Sequence, residues 1–281
     1  VSHSYGEQRR TNSGSSLKWT GLGLVGKQGA LTISSIVIAR FLGPESYATV
    51  ALALAYVALS TLVLDQGVSA ALVRVGILDR LTAGAATTLN LMLALAVGTA
   101  TLALAPTAGA FFRQGDLAPV LRVLGLALIL KALAIIPRVI LTRRGSFGTL
   151  AIADLGGAMI GVTAGICVVI LTESVWAIVV QTLLMDVVVV CLLIFFSRPP
   201  RPNLSLRLLT DHWRFSLSVF GGNLVGYSAT NADNILIGRF LGASALGYYS
   251  FAYSASQLPV AISGQVVSRV LFPSVARKRF N

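Results

Sequence analysis

Long stretches without a single charged residue dominate this chain and fix the solvent in which it folds. Five runs stand out: Ser46 to Leu64, Leu81 to Phe112, Leu155 to Thr172, Phe215 to Ala232 and Phe240 to Ser268. A sixth, Ser174 to Ser197, is interrupted only by Asp186. A helix needs about 20 mostly apolar residues to cross a bilayer core, and helices keep backbone polar groups paired where no water is at hand. Two further apolar segments carry charge: Trp19 to Ala39 contains Lys27, and Leu117 to Leu141 contains Arg122, Lys131 and Arg138. Counting both, the sequence predicts an all-α fold, a polytopic transmembrane helix bundle of about eight helices.

Composition agrees with that solvent. Charged residues make up 11% of the chain, against roughly 25% in a soluble domain. Basic residues outnumber acidic ones by 22 to 10, an excess that suits nucleic acid, anionic lipid or membrane orientation. Placement separates these readings. If the spans alternate, one side collects Arg9, Arg10, Lys18, Arg74, Arg80, Arg138, Arg143, Arg144, Arg198, Arg201, Arg207, Arg214, Arg269, Arg277, Lys278 and Arg279, which is 16. The other side collects Arg40, Arg113, Arg122 and Arg239, which is 4, and Lys27 and Lys131 lie inside spans. Basic residues concentrate on the cytoplasmic side of membrane proteins, so both ends are expected there. Lipid is the expected surrounding and nucleic acid is not a partner, since no aromatic-interleaved basic face accompanies the charge.

Cys167 and Cys191 fall in apolar runs and are read as packing residues. Neither they nor His3 and His212 have the spacing of a metal site, so no metal or cofactor is expected. The polar start lacks the pattern of a cleaved signal. Because the chain begins with Val1 and stops just after Arg277, Lys278 and Arg279, the expectation is a piece of a longer protein.

An internal repeat organises the rest. Ile38-Ala-Arg-Phe-Leu-Gly43 recurs as Ile237-Gly-Arg-Phe-Leu-Gly242, each followed by a tyrosine, Tyr47 and Tyr248. Six predicted spans separate the copies, an even number, which makes them parallel repeats. Between them lies Arg198-Pro-Pro-Arg-Pro-Asn203, a linker by its prolines and arginines. The expected organisation is a polar tail over 1–16, a six-helix lobe over 17–197, a cytoplasmic linker over 198–212, and the start of a second lobe over 213–281. Gly21-Leu-Gly-Leu-Val-Gly26 matches a dinucleotide fingerprint, but that motif needs a preceding strand. Here its glycines, like Gly157, Gly161 and Gly165, predict close helix approach.

Ala39-Arg-Phe-Leu-Gly-Pro44, Leu64-Asp-Gln-Gly67, Asn231-Ala-Asp-Asn-Ile-Leu-Ile-Gly-Arg-Phe-Leu-Gly-Ala243, Gly247-Tyr-Tyr-Ser-Phe-Ala-Tyr253 and Leu271-Phe-Pro273 together resemble polysaccharide exporters. These are the Wzx-like flippases of the multidrug/oligosaccharidyl-lipid/polysaccharide superfamily. The resemblance implies 12 to 14 helices in two parallel lobes around a cavity that opens alternately to either face. It also implies a lipid-linked oligosaccharide as substrate, moved from the cytoplasmic to the outer leaflet of a bacterial plasma membrane for capsule, exopolysaccharide or O-antigen, and other polysaccharide-assembly proteins as partners. A multidrug antiporter of the same superfamily and a passive scramblase are the alternatives. A membrane enzyme is disfavoured, because the external connections around Arg40 to Glu45, Arg113 to Asp116, Glu173 and Arg239 are too short to hold acid and base groups.

Charges inside spans are functional candidates by default. Lys27 is read either as snorkelling or as a cavity cation for a carrier diphosphate, and the resemblance, whose relatives carry basic residues in the first helix, favours the second. Lys131 is a weaker diphosphate candidate. Asp65, Asp186 and Asp233 are candidates for coupling or gating; Asp154 and Asp233, near span ends, also suit helix capping or an arginine partner. In span seven, Ser216, Asn223, Tyr227, Thr230 and Asn234 fall within an arc of roughly 60° at 100° per residue, with Asn231 beside it. Lys27, Gln28, Thr32, Ser34 and Ser35 make the counterpart first span polar as well. Lys27, Gln28, Ser34, Asn223, Tyr227, Thr230, Asn231 and Asn234 are therefore the expected substrate-cavity residues.

Overall fold

A computed structural model describes residues 13–65, 68–74, 78–205, 213–254 and 256. Helices α1 (Ser13–Asp65), α2 (Val68–Arg74), α3 (Arg80–Phe112), α4 (Leu117–Arg143), α5 (Phe147–Thr172), α6 (Trp176–Ser197) and α7 (Trp213–Leu236) follow one another, and α8 covers 243–254. No strand occurs among the described residues.

As one rod, α1 would reach roughly 80 Å, far beyond a bilayer. It is two limbs joined at Gly43, whose φ of 72° and ψ of 174° are not helical. A left-handed φ suits glycine, and Pro44 disfavours helix in the residue before it. The limbs fold back on each other: the Ser35 and Tyr47 hydroxyls lie 2.5 Å apart, and Lys27 and Asp65 line one cavity. Five helices are long and apolar enough to cross a membrane, Val25–Asp65 and α3 to α6, and the fold at Gly43 makes six crossings of them.

The bundle alternates direction. Arg143 at the end of α4 donates to the carbonyl of Leu72 at 2.7 Å, so α4 ends beside α2, at the Asp65 end. At the opposite, Gly43 end, Ala48, Ala105, Leu117 and Leu246 share one cluster, and Ile38, Val169 and Ile178 share another. Helices α5 and α6 meet through glycine: a Cβ on Gly161 would sit 2.6 Å from the Gln181 carbonyl oxygen. The first limb of α1 meets α5 the same way, for a Cβ on Gly26 would lie 2.5 Å from a Leu155 methyl. Close approach lets dispersion and weak polar contacts hold helices that lipid does not push together.

Helix stands at the first seven predicted positions and, as far as the described residues reach, over 243–254 of the eighth, with corrections. Helix α5 starts at Phe147, well before Leu155, so Asp154 lies two turns inside it and not near its end. A charge-free run stops at Asp154, yet the helix extends through it, with Arg138 paired to that carboxylate. Phe240 and Leu241 do not open span eight; they belong to a π-helical turn, Ile237–Leu241, that finishes the seventh. Helix α7 is not among the five apolar helices, being diluted by Gly221, Gly222, Asn223, Asn231, Asp233 and Asn234. Span eight beyond 256 and linker residues 206–212 lie outside the described residues. Cys167 and Cys191 are exposed on the outer faces of α5 and α6, not packed inside.

The repeat is visible in the backbone. Gly242, with φ 92° and ψ 178°, adopts the conformation of Gly43. In the register those glycines set, Tyr47 corresponds to Leu246 and not to Tyr248: Tyr47 and Leu246 are buried at 3% and 1% exposure, whereas Tyr248 is 67% exposed. The linker is held down where it is described, with the Asn203 side chain donating to the Leu81 carbonyl at 2.8 Å.

Candidate substrate cavity

Two cavities lie along the first limb of α1. The larger, of about 680 Å³, sits toward the Asp65 end, between both limbs of α1 and helices α2, α4, α5, α6 and α7. Its charged lining comprises Lys27, Asp65, Lys131, Arg138, Asp154 and Asp186, with Asn223 facing in from α7. Among the described residues three cations and three carboxylates line it, and an unpaired ion in low-dielectric surroundings costs several kcal/mol.

The cations are not held alike. Arg138 grips Asp154 with two N–H groups, at 2.7 and 2.9 Å. Lys131 lies 3.0 and 2.8 Å from the two oxygens of Asp186, and both side chains are nearly buried. Lys27 reaches only to 3.8 Å from the Asp154 carboxylate that Arg138 already occupies, and its side chain keeps 31% exposure. It is the loosely held cation. Asp65 is engaged locally: its carboxylate accepts from the Ser69 amide at 3.2 Å and from the Ser69 hydroxyl, capping the start of α2.

The smaller cavity, of about 300 Å³, lies nearer the Gly43 end, between the two limbs of α1, α6 and α8. Gln28, Thr32, Ser35, Tyr47, Gln181, Tyr253 and Ser254 supply its polar lining, and among the described residues no charged one joins them. Lys27 and Gln28 are consecutive, and one side chain lines each cavity.

The other expected residues divide. Asn223 lines the larger cavity and Gln28 the smaller. Ser34 lines neither: it is fully buried and donates to the Gln181 side-chain oxygen at 2.6 Å, a helix-to-helix seam. Tyr227 donates to the Ala55 carbonyl at 3.0 Å, tying α7 to the second limb of α1. Thr230 and Asn231 bond to carbonyls of their own helix. Asn234 accepts from Ser250 at 3.2 Å, and Asp233 accepts from the Tyr249 hydroxyl, joining α7 to α8. The arc on α7 thus has one member in a cavity and several in seams. The arginine partner weighed for Asp154 is Arg138, and one contributor went unforeseen, Gln181. Gln181 carried a legible signal, as the one amide of a span that is apolar but for a few residues, Thr182 and Asp186 among them.

Comparison with known proteins agrees with the resemblance read from the residues. The lipopolysaccharide biosynthesis protein WzxC of Escherichia coli is 24% identical over 96% of this chain and 55% of its own length. The succinoglycan biosynthesis transport protein ExoT of Rhizobium meliloti is 25% identical over 91% of this chain and 52% of its own. The teichuronic acid biosynthesis protein TuaB of Bacillus subtilis is 25% identical over 78% and 46%. The chain spans about half the length of these relatives. A solved structure of a MATE protein in its bent conformation aligns over 96% of this chain and 74% of that one, at 16% identity and a TM-score of 0.46. The family of polysaccharide biosynthesis proteins matches residues 37–281, nearly the whole bundle, and the chain belongs to that family.

Proposed function

We propose that this chain forms the N-terminal part of a flippase that carries a lipid-linked oligosaccharide from the cytoplasmic to the outer leaflet of a bacterial plasma membrane, with both ends of the chain cytoplasmic. The observation that carries the reading is the unequal hold on the cations of the larger cavity. A diphosphate entering it has to displace a carboxylate from a cation, and Lys27, at 3.8 Å from an Asp154 that Arg138 keeps satisfied, is released at least cost. Charge-assisted hydrogen bonds to phosphate then replace a weak ion pair. The names of WzxC and ExoT, a lipopolysaccharide biosynthesis protein and a succinoglycan transport protein, point the same way. Among the acids, Asp186 is the one we assign to coupling: it is the deepest, whereas Asp65 and Asp233 serve helix termini and seams.

The test is export of surface polysaccharide by the protein at its full native length in a flippase-deficient strain. Lys27→Arg should retain more export than Lys27→Gln at equal expression. Equal export by wild type and Lys27→Gln would overturn the assignment.

A further inference from the structure

The linker that leaves α6 does not simply cross to α7; its described part is seated on α3. Pro199, Pro200 and Pro202 fix φ along it, which lowers the entropy that ordering it costs, and Pro200 is buried. At Asn203 it meets the first turns of α3 through three hydrogen bonds. The side-chain Nδ2 donates to the Leu81 carbonyl at 2.8 Å, the backbone amide donates to the Gly84 carbonyl at 3.4 Å, and Oδ1 accepts from the Ser205 amide at 2.9 Å. Glycine at 84 admits the contact, since a Cβ there would crowd Asn203 Nδ2 and lie 2.6 Å from the Arg201 carbonyl oxygen. Helix α3 is buried without a break from Ala83 to Thr88, more than one full turn, so it is covered on every side there, and on the Gly84 side the cover is the linker. The helices that hold this seat all precede α7. Nothing in it has to break when α7 moves away from them.

We infer that residues 198–205 are a strap that shortens the tether between the two lobes and so favours the arrangement in which their cytoplasmic ends lie together; this rests on the two-lobe flippase reading above. Seated, the strap leaves at most the seven residues 206–212 to reach α7, and released it leaves the fifteen residues 198–212. The effective concentration of one tethered body at another falls roughly as the −3/2 power of tether length, so going from seven residues to fifteen lowers it about threefold. Gly84 and Asn203 are positioning residues in this scheme. They touch no substrate and act through the length of chain they leave.

The protein at its full native length in nanodiscs, without substrate, gives two readouts. Hydrogen exchange over 198–205 reports the seat, and Gly84→Val and Asn203→Ala should each quicken it roughly tenfold, as for loss of about one net hydrogen bond. Spin labels at 195 and 217, exposed positions toward the cytoplasmic ends of α6 and α7, report the separation of the lobes. Both variants should raise the ratio of wide to narrow separations about threefold. Asn203→Ala leaves α3 untouched and keeps the inference open to refutation should Gly84→Val fail to fold. Inserting eight glycine and serine residues after Ser205 gives the released length with the strap still seated. It should shift the separations by the same roughly threefold ratio while exchange over 198–205 stays at the wild-type rate, which a seat that merely covers α3 would not produce. Fast exchange already in wild type, faster exchange in the variants with unchanged separations, or an insertion without effect would overturn the strap. No readout involves Lys27 or a diphosphate, so failure of the Lys27 assignment and failure of the strap are told apart.

Discussion

Ser244 donates a hydrogen bond to Glu45 at 3.1 Å, and each of these residues lies two positions past the left-handed glycine of its own repeat, Gly242 and Gly43. Equivalent positions of two copies touch, as they do across a two-fold axis. Close by, Gly247 is pressed against the backbone of Pro44, so that a Cβ there would fall 1.8 Å from the Pro44 carbonyl oxygen. The two elbows are thus shut against each other at the end of the bundle opposite Asp65. Cysteines at 45 and 244 in the protein at its full native length should cross-link readily with an oxidant, and the cross-link should arrest export until reductant is added. Unchanged export by the cross-linked protein would mean that the elbows never part during transport.

The pair Lys131 and Asp186 provides a stability test. Asp186→Leu leaves a nearly buried ammonium without its partner and should cost about 3–5 kcal/mol, whereas Lys131→Met with Asp186→Leu should recover most of the loss. Thermal unfolding in detergent reads both variants. A double variant no more stable than the single one would show that the pair is not an isolated charge unit.

Orientation follows from the basic residues. A reporter fused after Arg113 should register outside and one fused after Arg201 inside, by the bias of basic connections toward the cytoplasm. Reversed signals would invert the direction proposed for the substrate.

Asn223 is the member of the α7 arc that lines the larger cavity. A cysteine at 223 should react with a water-soluble thiol reagent and be protected by lipid-linked glycan. A cysteine at 225, where Val225 is 71% exposed and does not line that cavity, should gain no such protection. Equal protection at both would count against the cavity as the place of substrate.

The spans were legible because lipid imposes length and apolarity on a helix directly, and the Gly43-Pro44 break was legible because two adjacent residues suffice to make it. The repeat was legible as a hexapeptide, yet the eye follows tyrosine to tyrosine where packing follows Tyr47 to Leu246, since what the site conserves is buried volume. Charge pairing was less accessible. Lys131 and Asp186 are 55 residues apart, and which carboxylate answers which cation depends on how α4, α5 and α6 are turned about their axes. The arc on α7 gathers polar residues on one side of the helix, but an arc of amides does not say whether it meets water or another helix. Tyr227 and Asn234 went to seams and Asn223 to the cavity.

The ion pair between α4 and α6 also constrains how the chain is made. Alone, α4 presents Lys131 to the hydrocarbon at a cost of about 2.5–3.5 kcal/mol on insertion scales, and its partner Asp186 is not synthesised until α5 and most of α6 have followed. The ribosome therefore delivers the cation before its counter-ion. Arg138 waits less, for Asp154 comes 16 residues later. The cost that Lys131 carries is thus lifted only when α6 docks, and α4 is held in the bilayer more firmly with α6 beside it than alone.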